Sequence, residues 1–185
     1  PRILYAGLIS GLFTSILAKP VKLILNTQRP AGLLDPSTFH IIGEHLHQAA
    51  MPSGHTTTAF AIATGIYLSI GHSKRIKFSW IFILPILTGI SRIAVGAHWP
   101  EDVLVGMSLG ILSGILGAKL ARLINIKYLT IRSWPSIIVI FGSFVCGYIL
   151  LNTTLDFELN ITLQYILLAN LGLAWVMLIK QFRKT

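Results

Sequence analysis

Acidic residues are scarce in this chain. Its 185 residues include six Asp and Glu against 15 Lys and Arg, and charged residues make up only 11% of the whole. A water-soluble domain carries about 25%, so this poverty of charge excludes an ordinary globular surface. Cysteine is almost absent. The lone Cys146 cannot close a disulfide within the chain and reads as a small packed hydrophobe. No internal repeat is visible, which excludes solenoids and propellers. No cleavable signal peptide is recognisable, because the first apolar segment runs straight into charged residues rather than a small-residue cleavage site. The first residue is Pro1 rather than methionine, so upstream residues are expected to have been removed or omitted.

What the chain has in place of charge is hydrocarbon: 54% of its residues are hydrophobic. A bilayer-crossing helix needs about 20 mostly apolar residues. Six segments approach this, at 3–25, 57–70, 78–95, 103–118, 134–151 and 163–179. The expected fold class is therefore all-α, a polytopic integral membrane helical bundle of about six transmembrane helices forming one membrane-embedded domain over 1–185. The net charge of +9 is placed for topology and not for nucleic acid. With six crossings, Arg2, Lys74, Arg75, Lys77, Lys119, Arg122, Lys127, Arg132, Lys180, Arg183 and Lys184 share one side. Lys19, Lys22, Arg29 and Arg92 take the other, together with every acid. The positive-inside rule makes the first side cytoplasmic, with anionic lipid headgroups as neighbours.

The connections differ in kind. Residues 71–77, Gly-His-Ser-Lys-Arg-Ile-Lys, form a short basic turn, and 119–133 are expected to extend the fourth helix and then lie along the inner interface. The outer loop at 152–161 carries two Asn-x-Thr triplets, which matter only in a glycosylating compartment. The longest outer connection, 26–51, has apolar residues at roughly helical spacing within 39–51, which predicts a short interfacial helix over the outer face. Gly106, Gly110, Gly114 and Ala118 recur every four positions, a stripe that lets a neighbouring helix approach closely; Gly7 and Gly11 read the same way.

Three stretches fall on the outer face: Lys22 to Pro30, Pro52 to His55, and Ser91 to Asp102. Cations near membrane depth are expensive and repel one another, and a bound anion offsets both effects. Arginine's planar fork suits phosphate oxygens, whereas Lys19 is expected to snorkel to the headgroups. Ser53 suits an N-cap and Gly54 leaves the backbone open, so the start of the second span offers amide donors to an anion. Pro100 suits the first position of the fourth span. Asp102 lies four residues beyond His98, within reach of its ring N–H on a helix. That bond would fix the tautomer and leave the opposite nitrogen free to attack. His55, arriving from another helix, could donate a proton to a departing oxygen.

Taken in order, Lys22-x6-Arg29-Pro30, Pro52-Ser53-Gly54-His55 and Ser91-Arg92-x5-His98-x3-Asp102 resemble the signature of the type 2 phosphatidic acid phosphatase family. Pro-Ser-Gly-His alone would be weak; the ordered set is specific. The resemblance implies a phosphatase that needs no metal and no cofactor. By position, His98 is the nucleophile and forms a phosphohistidine, Asp102 orients it, and His55 is the general acid. Lys22, Arg29, Arg92, Ser53 and the Gly54 amide hold the phosphoryl oxygens. Membrane members usually place two further spans before the lysine motif, whereas here two spans follow the aspartate motif.

Each residue also has an ordinary reading. His72 is a turn residue, and His40, His45 and His47 read as solvent-facing before any chemical role; Ser91 could simply cap its helix. A zinc site among His40, Glu44, His45, His47, His55 and His98 lacks a strong ligand spacing. An anion-binding transporter leaves the histidines without chemistry, and the soluble vanadate-dependent haloperoxidases that share the signature differ in being soluble. The expectation is a lipid phosphatase integral to the cytoplasmic (inner) membrane, its site facing the periplasm or exterior. Its partners are the bilayer and a lipid phosphate such as undecaprenyl diphosphate, phosphatidylglycerol phosphate or lipid A.

Overall fold

The computed structural model describes residues 2–35, 37–42, 45–124, 134–152 and 158–182, and within them every regular element is helical. Contacts divide the chain into an N-terminal unit, Pro1–Ile124, and a C-terminal unit, Asn125–Thr185. The N-terminal unit contains α1 (Arg2–Leu25), the single turn α2 (Pro30–Leu33), α3 (Gly54–Ser69), α4 (Ile83–Ala94) and α5 (Pro100–Leu123). The C-terminal unit contains α6 (Trp134–Asn152) and α7 (Glu158–Phe182). Each of the six apolar segments thus becomes helix. Among the described residues, three stretches are long and apolar enough to cross a membrane: Arg2–Leu33, Ile76–Ala94 and Pro100–Leu123.

The glycine stripe of α5 explains the packing. A Cβ on Gly106 would stand 2.8 Å from the Ser53 carbonyl oxygen, and one on Gly110 2.5 Å from that of Thr57. On Gly114 it would strike the Thr64 side chain, and on Gly117 the Ser10 hydroxyl of α1. Helices α1, α3 and α5 therefore meet at backbone distance, and α4 packs chiefly against α3. Gly7 and Gly11 of α1 face Ile66 and Ile62 of α3, as a packing role requires. Close approach maximises dispersion contact where lipid gives no hydrophobic drive for association. We expect Gly110→Val to lower the thermal midpoint in detergent, by about 1–3 kcal/mol of stability; a wild-type midpoint would refute this contact.

Two expectations are corrected. The third apolar segment is not one α-helix: a 3₁₀ stretch, Ile76–Phe82, precedes α4. Pro85 then falls in the first turn of α4, where its missing N–H leaves no helical bond unmade. The helix expected within 39–51 does not form in the described part of that segment. Its backbone amides and carbonyls are committed elsewhere. His47 accepts from the Arg29 amide at 2.9 Å, Ala50 donates to the Thr27 carbonyl at 3.0 Å, and Ile42 donates to Val95 at 3.1 Å. Ala49 has φ +54°, a left-handed value that a helical run excludes.

In the C-terminal unit, Gly147 of α6 lets Leu171 and Trp175 of α7 approach, Phe144 stacks on Trp175 at 4.2 Å, and the Trp175 indole donates to Ser143. Residues 125–133, the first Asn-x-Thr triplet beyond Asn152, and Glu44 lie outside the described residues.

Candidate active site

The site is built from one end of the N-terminal unit. Helix α5 starts at Pro100, with Trp99 as extended N-cap. Asp102, the third helical residue, turns its carboxylate back: Oδ2 accepts the Trp99 amide at 2.9 Å and stands 3.3 Å from His98 Nδ1. Both side chains are buried. An Nδ1–H held by Asp102 leaves Nε2 as the nitrogen with a free lone pair. Asp102 Oδ1 is buried with no hydrogen-bond partner, so its charge is directed to few groups.

A left-handed glycine makes this geometry possible. Gly96, at φ +73°, reverses the chain after α4, and a Cβ there would meet the His40 carbonyl at 3.2 Å. The reversal lets the amides of Ala97 and His98 both donate to the Arg92 carbonyl, at 3.1 and 3.2 Å. Arg92 and His98 are thereby fixed to each other through the backbone.

The cations arrive from α1 and the loop after it. Lys22 Nζ donates to the Ala49 carbonyl at 2.9 Å. Arg29 Nη2 reaches the same oxygen at 3.4 Å, its Nε donates to Gln48 at 3.0 Å, and its Nη1 to Ala97 at 3.3 Å. Arg29 thus links the loop before α3 to the loop before α5. The Trp99 indole adds a second tie by donating to the Gln28 carbonyl at 3.0 Å.

The third stretch is joined directly to the second. The Ser53 amide donates to the Asp102 carbonyl at 3.0 Å, which sets the start of α3 beside the start of α5. Ser53 occupies the N-cap position, but its hydroxyl makes no capping bond. Instead it accepts from the Thr56 hydroxyl at 3.0 Å. The first amides of α3 are therefore left to other acceptors. Gly54 has open space where a Cβ would be, and His55 is exposed at the rim.

Lys22, Arg29, Ser53, Arg92, His98 and Asp102 are accordingly tied together through shared backbone loops and hydrogen bonds, and Gly54 and His55 follow Ser53 at the start of α3, where His55 feels the charges of Arg92, Lys22 and Arg29. Ser91 stays with its own helix, donating to Thr88 at 2.8 Å, and Lys19 is exposed. His40, His45 and His47 line a separate cavity of about 160 Å³ with Ala31, Phe39 and Ile41. Among the described residues, no three His, Cys, Asp or Glu side chains gather as metal ligands. The carbonyls of Ala49 and Ala97, and the Trp99 indole, escaped the sequence reading. A backbone acceptor leaves no residue-type signal.

Burial, followed by the positive charges of Arg29, Lys22, His55 and Arg92, pushes His98 down from 6.5 to about 3. Its imidazole is neutral through the physiological range. Between these two values the unfolded chain binds the proton and the folded chain does not, so His98's contribution to stability falls as pH drops from 6.5 toward 3. In the ligand-free protein, the His98 ring ¹⁵N resonances, assigned by their loss in His98→Asn, should not titrate between about pH 5 and 9. A midpoint near the usual value would contradict this.

A family model described as the PAP2 superfamily matches residues 2–126, which include all three stretches. The undecaprenyl-diphosphatase BcrC of Bacillus subtilis is 33% identical over 139 residues, 74% of this chain and 67% of BcrC. A lipid A 1-phosphatase of Porphyromonas gingivalis is 45% identical over 73 residues, 40% of this chain and only 16% of that protein. The crystal structure of Aquifex aeolicus LpxE matches with a TM-score of 0.55 at 31% identity, covering 63% of this chain and 67% of that one. With its apolar helices, an unbroken set of signature residues joined at one end of them, and these relatives, the chain is an integral membrane protein that belongs to the PAP2 superfamily.

Proposed function

We propose that the chain hydrolyses a lipid phosphate, either a phosphomonoester or a diphosphate, through a phosphohistidine. The carrying observation is the buried His98–Asp102 pair at 3.3 Å among side chains that supply positive charge. His98 Nε2 attacks phosphorus, forming a P–N bond as the bond to the leaving oxygen breaks, and His55 gives that oxygen a proton. Water then attacks the phosphohistidine and loses its proton to His55, releasing inorganic phosphate and restoring His98. Lys22, Arg29 and Arg92 hold the equatorial oxygens, with Ser53 and the Gly54 amide, where charge is greatest in the transition state. The cations now resting on Ala49 and Ala97 carbonyls have donors to redirect toward a phosphoryl group.

The substrate is amphiphilic, because the site sits at the ends of apolar helices, at headgroup level. The names of BcrC and the Porphyromonas relative support an undecaprenyl diphosphate or lipid A type of headgroup. The site faces away from the cytoplasm of the inner membrane, since the opposite helix ends carry the basic excess.

The test is phosphate release by the detergent-solubilised protein from a panel of lipid diphosphates, monoesters and diesters, with and without chelator. Release is expected from diphosphates or monoesters and not from diesters, unchanged by chelation and inhibited by vanadate, which imitates a five-coordinate phosphorus. Binding without release would favour an anion transporter, and activity restored only by added metal would overturn the mechanism.

A further inference from the structure

The far ends of α3 and α5 present a second cluster of positive charge. Arg75, in the turn after α3, donates through Nη2 to the Leu68 carbonyl at 2.9 Å and through Nε to Ile70 at 3.3 Å. Arg122, in the last turn of α5, donates through its own Nη2 to the same Leu68 oxygen, also at 2.9 Å. Two guanidinium groups from elements far apart in sequence are thus held side by side by one carbonyl. Each keeps further N–H groups for another acceptor. A helix C-terminus attracts one cation, but a second at the same oxygen adds repulsion.

Among the described residues, no carboxylate forms an ion pair with either arginine. The sequence has no Asp or Glu between Glu44 and Glu101 or between Asp102 and Asp156, and the described acids Glu101 and Asp102 lie at the other end of α5. Lys74, Lys77 and Lys119 are exposed nearby in sequence and deepen the excess. The same end shows large apolar side chains to its surroundings: Ile76 is 87% exposed, Leu123 80% and Trp80 57%. Tryptophan is enriched at the headgroup layer of a bilayer, and Trp80 lies near the start of the apolar stretch Ile76–Ala94. Net topology explains why positive charge gathers here. It does not explain two forks converging on one oxygen beside exposed hydrocarbon.

We infer that Arg75 and Arg122 form a binding site for the phosphate of an anionic phospholipid headgroup, at the end of the N-terminal unit opposite His98. The phosphate bridges the two guanidiniums, relieving their repulsion, while the acyl chains meet the exposed apolar residues. The site is independent of hydrolysis, since a phosphodiester lipid fills it.

The test uses the full chain in mild detergent and measures retention by native mass spectrometry and thermal midpoint, with phosphatidylglycerol, phosphatidylcholine and inorganic phosphate as separate additions. Phosphatidylglycerol should be retained and raise the midpoint, and phosphatidylcholine should not. A diffuse surface attraction loses about fivefold in affinity for each basic residue removed, whichever residue it is. A bidentate clamp instead makes R75Q/R122Q lose at least about tenfold more than K74Q/K77Q. If the double arginine variant does not fold, R122Q, which removes one exposed side chain, and R75K/R122K, which keeps charge but loses the fork, should each weaken retention. Equal losses in the arginine and lysine variants, or equal retention of both lipids, would overturn the proposal. So would a phosphate-induced shift as large as the lipid's that vanishes in R75Q/R122Q, because it would make the ligand a free anion.

Discussion

His98→Asn should abolish turnover, lowering kcat by on the order of 10⁴-fold or more, while leaving the protein folded. Asparagine is chosen because its amide N–H can donate to Asp102 Oδ2 in place of the ring Nδ1–H, so the buried carboxylate keeps a partner. What it lacks is a second nitrogen with a lone pair. No P–N bond can form, so brief exposure to labelled substrate should leave acid-labile, base-stable label on the wild type and none on the variant. Binding of inorganic phosphate should survive within a few fold, since the cations remain. A variant that still turns over at more than about a hundredth of the wild-type rate would remove His98 from the chemistry.

Asp102→Asn should cost on the order of 10²–10⁴-fold in kcat, and the geometry gives the reason. One oxygen, Oδ2, serves both the Trp99 amide and His98 Nδ1. If the asparagine oxygen takes that place, the tautomer survives, but the negative charge that steadies a phosphorylated, cationic ring is gone. The new NH₂ then occupies the Oδ1 position, which is buried and has no partner. If the NH₂ takes that place instead, it opposes the Trp99 N–H and makes Nδ1 an acceptor, which puts the proton on Nε2 and blocks attack. Either orientation impairs catalysis, the second more severely. A variant that keeps its kcat and loses only substrate affinity would make Asp102 a helix-capping residue and no more.

The parts of the molecule legible in the sequence are those that repeat a physical rule locally. Four small residues at a spacing of four declare a helix face without side chains, and α3 lies on that face. Pro100 declares the start of α5, and the short spacing of His98 and Asp102 puts them within reach, although His98 stands before the helix and the carboxylate turns back past the N-cap to meet it. The segment 39–51 misled because helical spacing of apolar residues is a weak signal beside tertiary demand. Two of its carbonyls are taken by Arg29 and Lys22, partners 19 and 27 residues away in the chain. Ser53 does stand at the N-cap of α3, yet its hydroxyl accepts from Thr56 and caps no amide.

Composition and periodicity alone determined that this chain is helical and lives in lipid. The ordered set of Lys, Arg, Ser, His and Asp alone determined which chemistry it resembles. Only the tertiary structure decided how the three stretches are joined. Gly96 turns His98 back onto Arg92, Ser53 is tied to Asp102, and Arg29 is held between Gln48 and Ala97. The physical reason is that these ties run through backbone amides and carbonyls. Every residue type carries the carbonyl, and every one but proline the amide N–H, so residue type cannot announce which of them will meet.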